Sequence, residues 1–126
     1  MKDSIKKYEG FEKIYKEKNY FATKYLVMYI SKNSVMERNR LGISVSRKVG
    51  NSVVRHTLTR RMREIFRQNN NKLEQGYYIV VVFRKGSEDR EFFKLNEDYL
   101  KLCKKHKLIK HRVIKKFEKE DYEETI

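Results

Sequence analysis

The chain has 126 residues, a formal net charge of +14 and a pI near 9.9. That length suits one domain that buries roughly two thirds of its unfolded surface, and the charge calls for a polyanion partner that relieves self-repulsion. No apolar run reaches the roughly 18 residues of a membrane span and no apolar N-terminal core marks a secretory signal; with a single cysteine, Cys103, there is no internal disulfide, so a cytoplasmic setting without a membrane partner is expected.

There is no proline, no internal repeat and no Gly/Ser linker, and residues 1–126 read as a single domain. Residues 8–18 place Phe11, Ile14, Tyr15 and Lys18 at helical spacing, which predicts a short amphipathic helix. Residues 24–31 alternate with period two, with Tyr25, Val27 and Tyr29 on one face and Leu26, Met28 and Ile30 on the other. The polar stretch 32–39 predicts a hairpin connection to a second strand, 40–46, which sets Leu41, Ile43 and Val45 against Gly42, Ser44 and Ser46.

A helix is predicted from about Ser52 to Arg67, capped by Asn51 or Ser52, whose side-chain oxygen accepts from a free backbone N–H. At about 100° per residue, Val54, Leu58, Met62 and Ile65 fall on one face and His56, Thr59, Arg60, Arg63 and Arg67 on the opposite one. Residues 68–76 are turn-rich. The run Tyr77–Phe83 is β-branched and aromatic throughout, as in a central strand covered on both faces. After a loop at 84–90, Phe92, Leu95, Tyr99 and Leu102 mark another helix. Basic residues dominate 104–116 and predict its helical continuation to about 117, followed by an acidic tail at about 118–126.

The order helix, strand, strand, helix, strand, helix predicts an α+β fold, a small mixed sheet covered by helices. Two helices are expected on the aliphatic sheet face. Tyr25 and Tyr29 are expected on the other, near Phe11 and Tyr15 if the first helix packs at the sheet edge. Bases stack on exposed aromatic rings, so this face is a candidate groove for single-stranded nucleic acid. Between Arg38 and Arg63 lie eight arginines and lysines and no acid. Pairs at i,i+4 need acids, and none precedes Glu64 in this stretch; a concentrated charge on regular structure points to nucleic acid.

Across residues 42–67, GISVSRKVGNSVVRHTLTRRMREIFR, the chain resembles the protein subunit of bacterial ribonuclease P. That family runs from R-x-G-x-S-V-S through K-K-x-G-N-A-V to a helix beginning R-N-R, and RLGISVS, RKVGNSV, Arg55, Arg60 and Arg63 follow that order without gaps. Phe11, Tyr15, Tyr29 and VVFRKG at 81–86 extend the resemblance over most of the chain. It implies a two-layer α/β sandwich with a left-handed βαβ crossover, against the usual right-handed rule.

The resemblance further implies a role in removing the 5′ leader of precursor tRNA, as a subunit of an endoribonuclease whose catalyst is RNA with Mg²⁺ bound mainly by that RNA. No protein side chain is then catalytic. Arg40, Arg47, Lys48, Asn51, Arg55, His56, Arg60 and Arg63 are expected to contact the catalytic RNA, and Phe11, Tyr15 and Tyr29 the leader. No protein oligomer is predicted. The chain departs from the motif at His56 and Thr57, in place of Asn-Arg, and at Thr59, where the family is basic. His56 still offers a donor to phosphate.

Each signal also has a structural reading. Aromatics at regular spacing often pack in a core, and Gly50-Asn51 reads as a turn and helix cap. Cys103, His106 and His111 make a poor zinc cage on one lysine-rich segment, and Glu88, Asp89 and Glu91 read as a solvated loop. A non-catalytic ribosomal-type RNA-binding module is the alternative function. A protein-only metal nuclease lacks a converging carboxylate set.

Overall fold

The structure, a computed structural model, describes residues 7–33 and 38–114. Its elements are α1 (Lys7–Lys16), β1 (Tyr20–Ala22), β2 (Leu26–Lys32), β3 (Arg40–Ser44), α2 (Ser52–Asn69), β4 (Tyr77–Phe83) and α3 (Phe92–Lys105). The four strands form one mixed sheet in the order β1-β2-β4-β3. β4 runs antiparallel to β2, with Tyr29 opposite Val80, and parallel to β3, with Gly42 opposite Val80.

This order corrects the hairpin expected at 32–39. β2 and β3 are not neighbours, because β4 inserts between them. The run Tyr77–Phe83 explains why: Ile79, Val80 and Val81 are all buried, so both faces and both edges of this strand are covered. The polar stretch instead connects two strands that flank β4, and Asn39 at its end is fixed by β4's approach. Asn39 is fully buried. Its Nδ2 donates to Asn70 Oδ1 at 3.0 Å and to the Glu74 carbonyl at 2.9 Å. Its Oδ1 accepts from the Tyr77 N–H at 2.9 Å, and its own N–H donates to Gln75 Oε1 at 3.0 Å. A buried amide with every partner in place fixes a unique arrangement; here it locks the start of β3 to the turn that feeds β4.

Side-chain alternation gives the sheet two different faces. Leu26, Met28 and Ile30 of β2, Leu41 of β3 and Ile79, Val81 and Phe83 of β4 face a core completed by Leu58, Met62 and Ile65 of α2 and Leu95, Tyr99 and Leu102 of α3. Each fully buried aliphatic side chain contributes about 1.5–3 kcal/mol, which makes this the main stabilising face. On the opposite face Phe11 and Ile14 of α1 pack on Val80, with Tyr15, Tyr29, Tyr78 and Val82 around them. The first helix therefore lies over the central strands rather than at the sheet edge.

Two further expectations change. Residues 20–22 form an edge strand, β1, paired with β2 through Tyr20 opposite Tyr29; the turn between them is held by the Thr23 hydroxyl, which accepts from the Leu26 N–H at 3.1 Å. The final helix does not continue through the basic stretch. α3 ends at Lys105, Lys107 adopts a left-handed φ of 59°, and helical geometry resumes only at 111–114. Residues 115–117 of that expected continuation, and the acidic tail, lie outside the described residues.

Cys103 packs in the main core, where burial pushes its thiol up to about 12. His106 is half-buried and its Nε2 lies 2.8 Å from the Met28 carbonyl, a contact that requires the Nε2–H tautomer. Burial holds its pKa below the usual 6.5. The native state thus binds fewer protons than the unfolded chain, so stability rises with pH. We expect the contribution of His106 to be complete above pH of about 6.5 and to decline as pH falls toward the lower native pKa. Urea unfolding between pH 7 and 5.5 should show this decline, and His106→Gln, which keeps an N–H donor for Met28, should flatten it; an equal slope in the variant would place the titration elsewhere.

Candidate nucleic-acid interface

The first feature of the site is the turn that leads into α2. Val49 is buried and anchors it, while Arg47 and Lys48 on the same turn are exposed. At Gly50 the backbone passes so close to the helix that an added Cβ would sit 2.6 Å from Val54 Cγ1 and 2.8 Å from Val54 Cβ. A β-branched side chain on a helix has essentially one rotamer, so Val54 cannot step aside. Asn51 then caps α2, its Oδ1 accepting from the Val54 N–H at 3.0 Å. The turn fixes where α2 starts, and with it the direction of its cationic face.

On α2, Leu58, Met62 and Ile65 are buried, while His56, Arg60, Arg63 and Arg67 are exposed, as the angular pattern predicts. Arg67 is held bidentately by Glu64, with Nε at 3.0 Å from Oε2, so part of its charge is neutralised. Among the described residues Arg60 and Arg63 have no carboxylate partner. Arg55 and Arg61 are only partly exposed, and the Arg55 Nε is buried without a hydrogen-bond partner. The departures from the motif are accounted for locally. The Thr57 hydroxyl donates to the Val53 carbonyl at 3.0 Å and that of Thr59 to the Arg55 carbonyl at 2.9 Å. Both are turned back onto their own helix.

Arg40 is not brought to this helix. Its strand neighbours Leu41 and Ile43 face α2, so alternation carries Arg40 with Gly42 and Ser44 to the α1 face, where Arg40 pairs across from Tyr78. Arg40 is partly buried and its Nε lacks a hydrogen-bond partner.

That second face carries the aromatic row. Phe11 and Tyr15 meet edge-on with centroids 6.0 Å apart, Tyr15 and Tyr29 at 4.7 Å, and Tyr29 and Tyr20 at 5.1 Å. Phe11 is only 7% exposed and forms the floor. Tyr15 and Tyr29 are partly exposed, and Tyr20 is 51% exposed and offers the most open ring. Burial raises the Tyr15 phenol above its ordinary value, partly offset by a hydrogen bond with Ser44. The ring stays neutral and adds no negative charge beside a polyanion. Tyr20 escaped the sequence reading because a three-residue strand is too short for a period to show. The signal present was the turn-forming Thr23-Lys24 between two aromatic-rich stretches. Tyr25 is not part of the row: it precedes β2, packs near Gly86 and lies under the Arg90 guanidinium, 4.4 Å from the ring centroid.

The comparisons with known proteins bear on this arrangement. The family model described as Ribonuclease P matches residues 1–107. The chain belongs to the ribonuclease P protein family. The ribonuclease P protein component of Lachnoclostridium phytofermentans is 46% identical over 109 residues, 86% of this chain and 93% of that protein. That of Natranaerobius thermophilus is 36% identical over 88% of this chain and 96% of its own length. Among solved structures, the RNase P protein of Staphylococcus aureus superimposes with a TM-score of 0.79 at 30% identity, covering 86% of this chain and 98% of that one. The RNase P protein of Thermotoga maritima gives 0.75 at 35% identity, covering 81% and 96%. The turn and α2 described above lie within the residues that the family model matches.

Two substitutions separate architecture from charge. Asn51→Ala should lower stability by about 1 kcal/mol through the lost cap. Gly50→Ala should cost about 1–3 kcal/mol through overpacking against Val54. Urea titration of both variants checks this. A neutral Gly50→Ala would show that the turn can move away from the helix.

Proposed function

We propose that the chain serves as the ribonuclease P protein subunit by clamping RNA on two faces. The exposed cations Arg47, Lys48, Arg60 and Arg63, with Arg55 at their edge and the exposed His56 as a hydrogen-bond donor, hold phosphates of the catalytic ribonuclease P RNA. The aromatic row on the other sheet face, Tyr15, Tyr29 and Tyr20 over a floor of Phe11, takes the single-stranded 5′ leader of precursor tRNA. Arg40, carried to that face, supplies its cation. The observation that carries this reading is the pairing of a rigid cationic helix, acid-free from Ser52 to Arg63, with an aromatic groove on one four-stranded sheet. Cations position the phosphate backbone, and aromatic rings stack unpaired bases at about 1–3 kcal/mol each.

In this reading leader cleavage is carried out by the RNA and the protein is a binding subunit. Mg²⁺ supplies Lewis-acid chemistry when bound. The protein's donor set does not fit it: among the described residues no three His, Cys, Asp or Glu side chains converge. We place the ion mainly on the RNA, and the protein's contribution is to screen phosphate repulsion. Among the described residues no helix is long and apolar enough to cross a membrane, and we place the subunit in the cytoplasm with its RNA.

Reconstitution tests the proposal. The purified chain, mixed with a bacterial ribonuclease P RNA at low Mg²⁺, should accelerate 5′ leader removal from a precursor tRNA above the RNA alone. Arg60→Ala and Arg63→Ala should each weaken RNA binding and reduce its log-log salt slope by about 0.7–0.9. Unchanged slopes would remove α2 from the interface, and cleavage by the protein without RNA would overturn the division of labour. For the groove, Tyr20→Ala and Tyr29→Ala should weaken binding of long-leader substrate by up to about 5–150-fold each, from about 1–3 kcal/mol of stacking, and leave leaderless tRNA unaffected. Equal losses on both substrates would indicate damage to the fold instead.

A further inference from the structure

A second acid-free basic run lies at the other end of the chain. Between Tyr99 and Phe117 there are eight lysines and arginines and no carboxylate, as many as in the motif region. Lys101, Lys104 and Lys105 are exposed at i, i+3 and i+4 on α3, so they share one face. Among the described residues none of them, nor Lys107, Lys110 or Arg112, pairs with a carboxylate. The negative end of a helix dipole amounts to about half a charge, too little to account for this many cations.

The backbone that carries them is fixed. α3 is closed by a Schellman motif, with the Lys107 N–H on the Lys104 carbonyl at 3.0 Å and the Leu108 N–H on that of Cys103 at 2.9 Å. Beyond it Leu108 and Ile109 are buried. Ile109 bridges to Leu73, the Glu74 N–H donates to the Leu108 carbonyl, and the Lys110 N–H donates to that of Lys72. The segment that presents Lys110 and Arg112 is therefore stitched to the turn after α2, and it lies past the residues that the family model matches. Next to this surface stands an exposed aromatic ring. Phe21 is 41% exposed, and its ring meets His106 edge-on at 4.8 Å. Strand alternation puts Phe21 on the opposite side of β1 from Tyr20, so this ring does not belong to the leader groove.

We propose that the C-terminal turns of α3, the segment 107–112 and Phe21 form a second RNA-contact surface, one that takes phosphates and an unpaired base of the ribonuclease P RNA. Lysines grip the backbone as point charges, and the phenyl ring next to them provides a stacking platform. The proposal rests on that RNA being the partner, and it adds a contact away from α2.

The test uses the full chain and a transcribed bacterial ribonuclease P RNA. Changing Lys101, Lys104 and Lys105 together to Gln should leave the melting temperature unchanged and reduce the salt slope of RNA binding by about 2, at roughly 0.7 per lost contact. Acetylation with N-hydroxysuccinimidyl acetate should be slowed by RNA at Lys104, Lys105 and Lys110, while Lys13 on α1 reacts as in the free protein. Equal acetylation with and without RNA and an unchanged slope, while Arg60→Ala still weakens binding, would overturn the second surface and leave α2 as the contact. Protection of Lys13 to the same degree would also overturn it, since that describes non-specific coating. No RNA binding by the unaltered chain would overturn this proposal and the proposed function together.

Discussion

The parallel pairing of β3 with β4 is the constraint from which the rest of the structure follows. Antiparallel strands can be joined by a two-residue turn, but parallel neighbours need a crossover of a dozen residues or more. Here the crossover is the turn at 47–51 and the whole of α2. The helix must return the chain to the starting end of the sheet, and its apolar stripe must cover Leu41, Ile79 and Val81 while it does so. Its opposite stripe is then turned to solvent. The most basic stretch of the motif is presented outward because the segment that carries it has to span the sheet. Gly50 and Asn51 set the angle at which the span begins.

The sheet also keeps the cationic helix and the aromatic row apart. A period of two sends neighbouring residues to opposite faces. Leu41 and Ile43 therefore support the cationic helix from below, while Arg40 and Ser44, one residue away in each case, fall on the opposite face, where Ser44 hydrogen-bonds with Tyr15. A one-residue slip of β3 against β4 would exchange these sets. The buried Asn39 prevents that slip, since its amide is satisfied only when it meets Asn70, Glu74 and Tyr77 together. A single buried amide thus protects the register on which both faces depend.

What could be read from the residues divides along local and non-local lines. α2 was legible to within two residues of its end, with its cap and both faces, because capping, helical period and charge are encoded within one stretch of chain. β4 was legible as a covered central strand from its unbroken β-branched run. The sheet order was not, because nothing local to residues 32–39 tells whether the next strand pairs with the last one or leaves room for another. Arg40 lies close to the basic helix in sequence, and only the pairing with Tyr78 places it on the far face. Tyr25 fits the period-two pattern of β2 in sequence, but the chain turns at Thr23, and the ring that joins Tyr29 is Tyr20 of the preceding strand. The end of α3 at Lys105 was hidden because lysine at a left-handed position lacks the usual glycine marker.

The departures from the family motif follow from the same geometry. Thr57 and Thr59 spend their hydroxyls on carbonyls one turn back, and Arg55 and Arg61 are partly covered, so the first turns of α2 offer less reachable charge than the motif's arginines would. Electrostatic attraction of a polyanion depends on how many phosphates are neutralised and only weakly on which residues neutralise them. Charge missing at one end of the molecule can therefore be made up at another, provided the backbone there is rigid enough that immobilising the side chains does not consume the gain. The segment after α3 meets that condition through Leu108, Ile109 and the bridge to Leu73. A chain with a thinner helix motif and a stitched-down basic segment after α3 is what redistribution of phosphate contacts over a fixed fold would produce.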